Sequence, residues 1–224
     1  MILSEQELWY LNELLGGGPV FGVADCCLNV QDEQRVVRLL TDKQILDKEG
    51  ALTGIGNDVV RLLGAYKKAD VYFMINHVRI ALHDSDAMVN LYENVERRTY
   101  YMTMIPKGEF LYQILKEFPV LRKLFPGRNT FKKQMTYKMW REKEKEIVRS
   151  YDNSIFCQIH DRGRLTEAKV YYWNDREMCR YDIIRKEFKD CGNSELRQDI
   201  LEGLQLLNGK MTAKGEGNGN RQEA

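Results

Sequence analysis

The stretch of sequence that decides the fold covers residues 69–106 and reads ADVYFMINHVRIALHDSDAMVNLYENVERRTYYMTMIP. Apolar residues alternate with other residues through positions 71–82, and this period of two predicts a β-strand. The sequence Asp-Ser-Asp at 84–86 interrupts the pattern, as short polar side chains do in turns, where they bond to their own backbone. Two further strands are predicted at 88–92 and 100–105. The stretch is therefore predicted to be a three-stranded antiparallel meander.

A similar order of elements returns in residues 154–184, SIFCQIHDRGRLTEAKVYYWNDREMCRYDII. Three strands are predicted there, with turns at 161–163 and 174–175, and a His-Asp pair closes the first strand of each unit (His83-Asp84 and His160-Asp161). A three-stranded meander alone has two open edges and a thin core. We therefore predict an α+β fold in which a pseudo-twofold duplicated meander forms one central sheet flanked by helical bundles.

The predicted helices follow from apolar residues at helical spacing. Ser4 and Glu7 form a capping-box pattern at the first helix, and Ser194 is predicted to be the N-cap of the last one. The predicted helices cover residues 4–15, 31–46, 57–66, 108–118, 129–150 and 194–207. We expect a single domain over residues 1–207, with related halves of about 1–119 and 120–207. The Gly-rich polar residues 208–224 are predicted to be a flexible tail.

Composition narrows the classes of function. The chain has 224 residues with 34 basic and 33 acidic side chains, a net charge of +1. This balance argues against a nucleic-acid binder driven by electrostatics. We expect no export signal and no membrane insertion, because no apolar run is long enough. The five cysteines are scattered and odd in number, which predicts free thiols in a reducing cytoplasm.

The candidate catalytic and metal-binding residues do not form a recognisable site. His77 and His83 lie on one predicted strand, and six residues of strand would place them about 20 Å apart. Cys26-Cys27 has no second cysteine pair nearby. The glycines at 16–18 follow a helix and lack the Lys-Ser/Thr of a P-loop, and those at 54 and 56 lack a preceding strand. The sequence therefore predicts no enzyme, no cofactor and no metal.

Two features of the sequence are consistent with a binding surface, a winged-helix outline and two aromatic clusters. The helices at 31–46 and 57–66 and the following hairpin have the outline of a winged helix, although the second of these helices has mostly core residues. The aromatic clusters at 100–101 and 171–173 place rings on both faces of a strand. One face must pack on the core, and the other is either covered by a helix or exposed for a partner.

The chain resembles a known family in the order of its apolar segments. These segments are Leu8-Trp9 in the first helix, Gly18-Pro19, the turn LLTDKQIL at 39–46 followed by Gly-Ala-Leu at 50–52, Leu62-Leu63 and the meander. Up to about residue 207 the chain is similar to the EspG-like chaperones of type VII (ESX) secretion and their relatives in Gram-positive bacteria. The resemblance implies a pseudo-twofold protein with a central antiparallel sheet. It also implies a non-enzymatic cytoplasmic chaperone that binds a helical secretion substrate before export, without ATP or metal.

The predicted partner surface rests on apolar residues of this chain. Helical partners lay an apolar stripe into a groove, and methionine suits such a groove because its side chain re-packs easily. The candidates on the two predicted helices concerned are Met135, Met139, Trp140, Leu204 and Leu207. The alternative for each of them is a place in the core. Two other functions stay open, a DNA-binding regulator with a winged-helix-like N-terminal half and a toxin-immunity or inhibitor protein.

Overall fold

The strands of the protein form one antiparallel sheet in a computed structural model, which describes residues 1–83, 86–122, 133–134, 142, 145, 153–174 and 177–207. Ten strands lie in this part of the chain: β1 Ile2–Ser4, β2 Val71–Ile75, β3 Val78–Leu82, β4 Ala87–Asn94, β5 Thr99–Pro106, β6 Lys133–Gln134, β7 Ser154–Asp161, β8 Arg164–Trp173, β9 Met178–Asp182 and β10 Glu187–Cys191. Their order across the sheet is β1-β5-β4-β3-β2-β7-β8-β9-β10-β6.

The sheet has a pseudo-twofold relation about its centre, where β2 pairs with β7. From β2 outward, the first half contributes β3, β4, β5 and then its short leading strand β1. From β7 outward, the second half contributes β8, β9, β10 and then its own short strand β6. The predicted duplicated meander and shared central sheet are therefore confirmed. Each meander has four strands, however, where the sequence predicted three.

The additional strand of the first half arises within residues 71–82, which were predicted to be one strand. The structure divides them into β2 and β3, joined by the two-residue turn Asn76-His77. Asn76 adopts a φ of 51°, a left-handed conformation that asparagine tolerates better than most residues. In the second half, the additional strand is β10. It was not predicted because three of the five residues in its sequence, EFKDC, are charged and give no apolar alternation.

The five helices described are α1 Glu5–Leu14, α2 Val30–Asp42, α3 Gly54–Lys67, α4 Lys107–Glu117 and α5 Asn193–Gly203. The predicted capping box at α1 is confirmed, because Ser4 Oγ accepts from the Glu7 N–H at 3.2 Å and Glu7 Oε2 accepts from the Ser4 N–H at 2.6 Å. The N-cap prediction for α5 is wrong. Gly192 occupies the N-cap position, and Ser194 lies inside the helix.

Two helices end earlier than their apolar pattern suggested, for the same physical reason. After α2, Gln44 adopts a φ of 58°, and the Ile45 N–H donates to the Leu40 carbonyl oxygen at 2.8 Å. After α5, Gln205 adopts a φ of 57°, and the Leu206 N–H donates to the Leu201 carbonyl oxygen at 2.9 Å. This pattern closes a helix and turns the chain away. The apolar residues that follow each end therefore belong to the connecting segments.

Two sequence predictions fall on parts of the chain that lie largely outside the described residues. The helix predicted at 129–150 is one, and its predicted start is wrong because Lys133–Gln134 form β6, which pairs with β10. The tail predicted at 208–224 is the other.

The core is divided by the sheet into two clusters. Helices α1, α2 and α3 cover one face of the first half, with Leu8, Leu11, Leu40 and Leu63 fully buried there. Helices α4 and α5 cover the opposite face, where residues of both halves meet, namely Phe73, Ile80, Phe110, Ile155, Tyr171, Leu196 and Ile200. Each large apolar side chain buried in this way contributes about 1.5–3 kcal/mol.

Helix α5 belongs to the second half but packs against the first. A Cβ atom placed on Gly203 would lie 2.5 Å from a ring carbon of Phe73, closer than any side chain allows. The glycine lets the helix backbone approach β2 directly. The close contact fixes α5 across the boundary between the halves.

Candidate partner-binding surfaces

The predicted partner surface is only partly within the described residues. Met135, Met139 and Trp140 lie outside them. Leu204 is fully buried in the cluster under α5, and Leu207 is 46% exposed. The end of α5 causes this separation, because Gln205 turns the chain immediately after Leu204. A role of the five residues in partner binding stays a prediction, and Leu207 is the described member with exposed surface.

A groove lies between α1, α2 and the segment before α2 in the first half. Its volume is about 500 Å³. The lining residues come from α1 (Trp9, Tyr10, Glu13 and Leu14), from the connecting segment (Cys26, Cys27 and Leu28) and from α2 (Glu33). A recess of this size, between two helices, has the dimensions of a ligand or peptide site.

Three local interactions position the walls of this groove. Trp9 Nε1 donates to the carbonyl oxygen of Ala24 at 2.5 Å, which ties the connecting segment to α1. Asn29 caps α2, because its Oδ1 accepts from the Asp32 N–H at 2.9 Å. Asn12 Nδ2 donates to the Gly18 carbonyl oxygen at 2.8 Å and fixes the chain as it leaves α1. The groove is thus held by hydrogen bonds at both ends.

The groove combines an apolar floor with an acidic rim. Leu14 is 49% exposed at its edge, whereas Trp9 is almost buried beneath it. Among the described residues that line the groove, the charged ones are Glu13 and Glu33, and both are acidic. Burial, followed by the nearby Glu5 carboxylate, raises the pKa of the Cys26 thiol. The raised pKa disfavours the thiolate, which is the form in which a cysteine acts as a nucleophile.

The sequence did not reveal the groove, because Leu8, Leu11, Leu14 and Leu15 all lie at helical spacing and this pattern alone does not show which of them are buried. Leu8 and Leu11 are fully buried, but Leu14 and Leu15 are 49% and 37% exposed. One signal of their exposure was available in the sequence. Leu14 and Leu15 lie at the end of the helix, directly before the glycines at 16–18.

The aromatic clusters of the strands contribute mostly to the core. Tyr100, Tyr171 and Tyr172 are buried, and Trp173 is half-buried. Tyr101 is 43% exposed, with its ring centroid 5.9 Å from that of Tyr92. These two tyrosines line a second cleft of about 360 Å³, together with Ile2, His77, Glu93, Asn94, Arg97, Thr99 and Tyr100.

The charged side chains around α5 form a balanced network against the sheet. Asp199 accepts from Tyr171 and pairs with Lys169 at 3.1 Å, and Glu195 pairs with Lys189 and with Arg180, the latter at 3.6 Å. Burial, followed by the charge of Asp199, raises the pKa of the Tyr171 phenol far above its usual range. Each carboxylate is thus matched by a cation, and the network serves to seat α5.

The structure also locates the motifs considered for metal, phosphate and DNA. In the part of the chain that the structure describes, no group of three or more His, Cys, Asp or Glu residues is placed to hold a metal ion. Gly56 lies in the first turn of α3, where a Cβ would meet the carbonyl oxygen of Ile45 at 2.1 Å, so close packing explains it. None of the described helices is both long enough and apolar enough to span a membrane.

Helix α3 does not present a basic face of the kind that a DNA-reading helix uses. Val59, Leu63 and Tyr66 are buried in the core. Of its cations, Arg61 pairs with Asp58 at 3.0 Å, and Lys67 Nζ donates to Asn12 Oδ1 and to the Gly17 carbonyl oxygen, both at 2.5 Å. The winged-helix alternative therefore gains no support from this helix.

Comparison with known proteins gives a family and a fold. A family model described as "Domain of unknown function (DUF5081)" matches residues 1–210. No curated protein matches the chain. Among solved structures, the chain is similar to the Mycobacterium tuberculosis type VII secretion system chaperone EspG5, solved in complex with the PE25-PPE41 dimer. The identity is 9% and the TM-score 0.55, and the match covers 92% of this chain and 95% of that chain. The likeness shows a shared fold.

Proposed function

The chain belongs to the DUF5081 family and shares the fold of EspG5, and from these premises we propose that it is a non-enzymatic chaperone or adaptor of a type VII secretion system. Its partner is a helical segment of a protein destined for export, held in the cytoplasm before secretion. The observation that carries the proposal is the open groove between α1 and α2 on a fold that a secretion chaperone also has.

The chemistry of the groove favours an amphipathic helix as the occupant. A partner helix lays residues at positions i, i+3, i+4 and i+7 into such a recess. Leu14 and Leu28 offer apolar contact surface, and Trp9 provides a rigid aromatic floor. Because the charged residues of the described lining, Glu13 and Glu33, are both acidic, a helix with basic residues flanking its apolar stripe fits best. Exposed Leu207 at the end of α5 is proposed as a second contact.

The test is affinity purification of the intact protein from its native host, comparing Leu14→Lys with the control Val95→Lys. Both side chains are exposed, at 49% and 68%, so both variants should keep the melting temperature of the wild type. The wild type and the control should recover a helical exported protein, and Leu14→Lys should lose it, because a lysine replaces apolar contact surface with a charged group.

Two outcomes would contradict the proposal in different ways. Undiminished recovery of the partner with folded Leu14→Lys would remove the groove from the proposed site. Recovery of DNA, or of a toxin that is neither helical nor exported, would remove the secretion role itself. A steep loss of affinity between about 50 and 200 mM salt would identify phosphate contacts, whereas binding in the apolar groove, with two acidic residues on its rim, should change much less over that range.

A further inference from the structure

The outer edge of β5 is only partly covered by another strand. Strand β1 pairs with Thr99, Tyr100 and Tyr101, through Ser4, Leu3 and Ile2 respectively. Beyond Tyr101, β5 continues to Pro106 with β4 on its inner side, and none of the described strands pairs with its outer side. The outward backbone N–H and C=O groups of this part form a template for another extended chain.

The sequence of this edge lacks the protection that edge strands normally have. Charged side chains on an edge strand oppose pairing with other chains. The sequence of β5, TYYMTMIP, contains no charged residue. The corresponding strand near the other end of the sheet is β10, whose five residues include Glu187, Lys189 and Asp190. Strand β6 pairs with Glu187 and Phe188 of β10, so each end of the sheet has a short covering strand. The two ends of a pseudo-symmetric sheet therefore differ in charge.

An apolar pit lies beside the free edge, on the face of the sheet that α3 covers. Its volume is about 190 Å³, and its lining is mostly apolar, with Met102 of β5, Ile55 and Val59 of α3, and Met1 before β1. Asp58 also lines it and pairs with Arg61 at 3.0 Å. Met102 and Met104 point to the same face, since side chains alternate along a strand. Met104 is 49% exposed, and Ile55 in the lining of the pit is 43% exposed. A strand laid along β5 would place its alternate side chains over this pit.

We propose that the edge of β5 from Met102 to Pro106 binds a short extended segment of a partner protein by strand addition. The segment is uncharged and places a large apolar side chain in the pit between β5 and α3. Main-chain hydrogen bonds supply the affinity, and the pit selects the side chain. This surface and this binding mode are separate from the helix-binding groove, so either proposal can fail without the other.

The size of the free edge favours a peptide over a second copy of the chain. Strand β1 limits the edge on one side, and α4 begins at Lys107 on the other, which leaves five residues. Stable dimers bury about 1,200 Å² or more in total, which requires contact well beyond five strand residues. An extended peptide needs only the free backbone groups and one side-chain pocket.

The probe for this site is a capped seven-residue peptide of alternating threonine and leucine, titrated into the full-length protein and followed by amide NMR. Saturable binding below about 1 mM should shift the amides of Met102 to Ile105 and slow their exchange with solvent. Met104→Lys should weaken binding roughly tenfold or more, because it places a charge on the edge. The control Ile184→Lys, at a residue 47% exposed elsewhere, should leave binding unchanged.

A second peptide, methylated at alternate backbone nitrogens, separates strand addition from apolar contact alone. The methylated peptide should not bind, because it cannot donate the main-chain hydrogen bonds. Equal binding of the methylated peptide, shifts confined to other surfaces, or no saturable binding would each overturn the proposal. Sedimentation that shows a dimer abolished by Met104→Lys would overturn it in favour of a second copy of the chain.

Discussion

The backbone N–H of Asn76 donates to the carbonyl oxygen of Phe156 at 2.9 Å, and the Asn76 Oδ1 accepts from the N–H of Phe156 at 2.8 Å. At the opposite end of the same strand pair, the N–H of Arg162 donates to the carbonyl oxygen of Asp70 at 2.7 Å. Asn76 and Arg162 are 86 residues apart, as are Asp70 and Phe156. The hairpin turn of each half thus extends the pairing of β2 with β7, and the join between the halves is itself pseudo-symmetric.

The first prediction concerns the turn residue Asn76. Asn76→Ala should lower the free energy of unfolding by about 2–3 kcal/mol, since it removes a side-chain hydrogen bond worth about 1 kcal/mol and puts alanine into a left-handed conformation that costs about 1–2 kcal/mol. Asn76→Gly should lose only about 1 kcal/mol, because glycine adopts the same φ freely. Urea denaturation measures both variants. Equal losses would contradict the assignment of a left-handed strain at this turn.

The second prediction compares two helical glycines. Gly203→Ala should destabilise the protein by about 1–3 kcal/mol, because the new methyl group would overlap the buried ring of Phe73. Gly64→Ala is the matched control. The nearest atoms to its Cβ belong to Leu15 at 3.9 Å, so the variant should stabilise α3 by about 0.5–1 kcal/mol. A stabilising Gly203→Ala would show that α5 does not approach β2 as closely as described.

The sheet could be predicted from sequence because its signals are local. Alternation, turn residues and the repeated His-Asp ends gave the duplicated meander, and Ser4 with Glu7 gave the start of α1. The split at Asn76 was visible as a change in which positions of residues 71–82 were apolar. Its meaning was missed because an Asn-His turn lacks the glycine that usually marks a hairpin.

The candidate surfaces could not be predicted in the same way, because exposure depends on which elements pack together. Leu8 and Leu14 belong to one helix and have the same chemistry, yet one is fully buried and the other is half exposed. The free edge of β5 follows from the length of β1, a strand of three residues that carries almost no periodic signal. The helix ends at Gln44 and Gln205 could not be predicted from the sequence either, since glutamine seldom adopts a left-handed conformation.

The third prediction concerns pH and His160, which lies at the junction of the halves. Its ring packs edge-on against Phe21 at a centroid distance of 4.7 Å, and burial lowers its pKa below the usual 6.5. The unfolded chain therefore binds a proton at a higher pH than the folded chain does. Stability contributed by the neutral ring is fully present above pH 6.5 and is lost as the pH falls through the folded-state pKa.

The measurement is urea denaturation of the wild type and of His160→Gln at several pH values between 8 and 5. The stability difference between the two proteins should shrink as the pH falls below 6.5, because only the wild type has this proton to take up. Other titrating groups affect both proteins alike and cancel in the difference. A difference that is constant across this range would show that His160 is not desolvated in the folded protein.

The last prediction compares two of the leucines that follow α5, Leu204, which is buried, and Leu207, which is exposed. Leu204→Lys should lower the free energy of unfolding by about 3 kcal/mol or more, because it buries an unpaired charge in the core under α5. Leu207→Lys should change stability by no more than about 0.5 kcal/mol, since the side chain is 46% exposed.

If Leu207 contacts the partner, Leu207→Lys should lose the partner in affinity purification while keeping its melting temperature. Leu165→Lys, at a leucine of β8 that is 43% exposed, is the matched control and should retain the partner. Retention of the partner by folded Leu207→Lys would remove the end of α5 from the binding surface and leave the groove between α1 and α2 as the site to map.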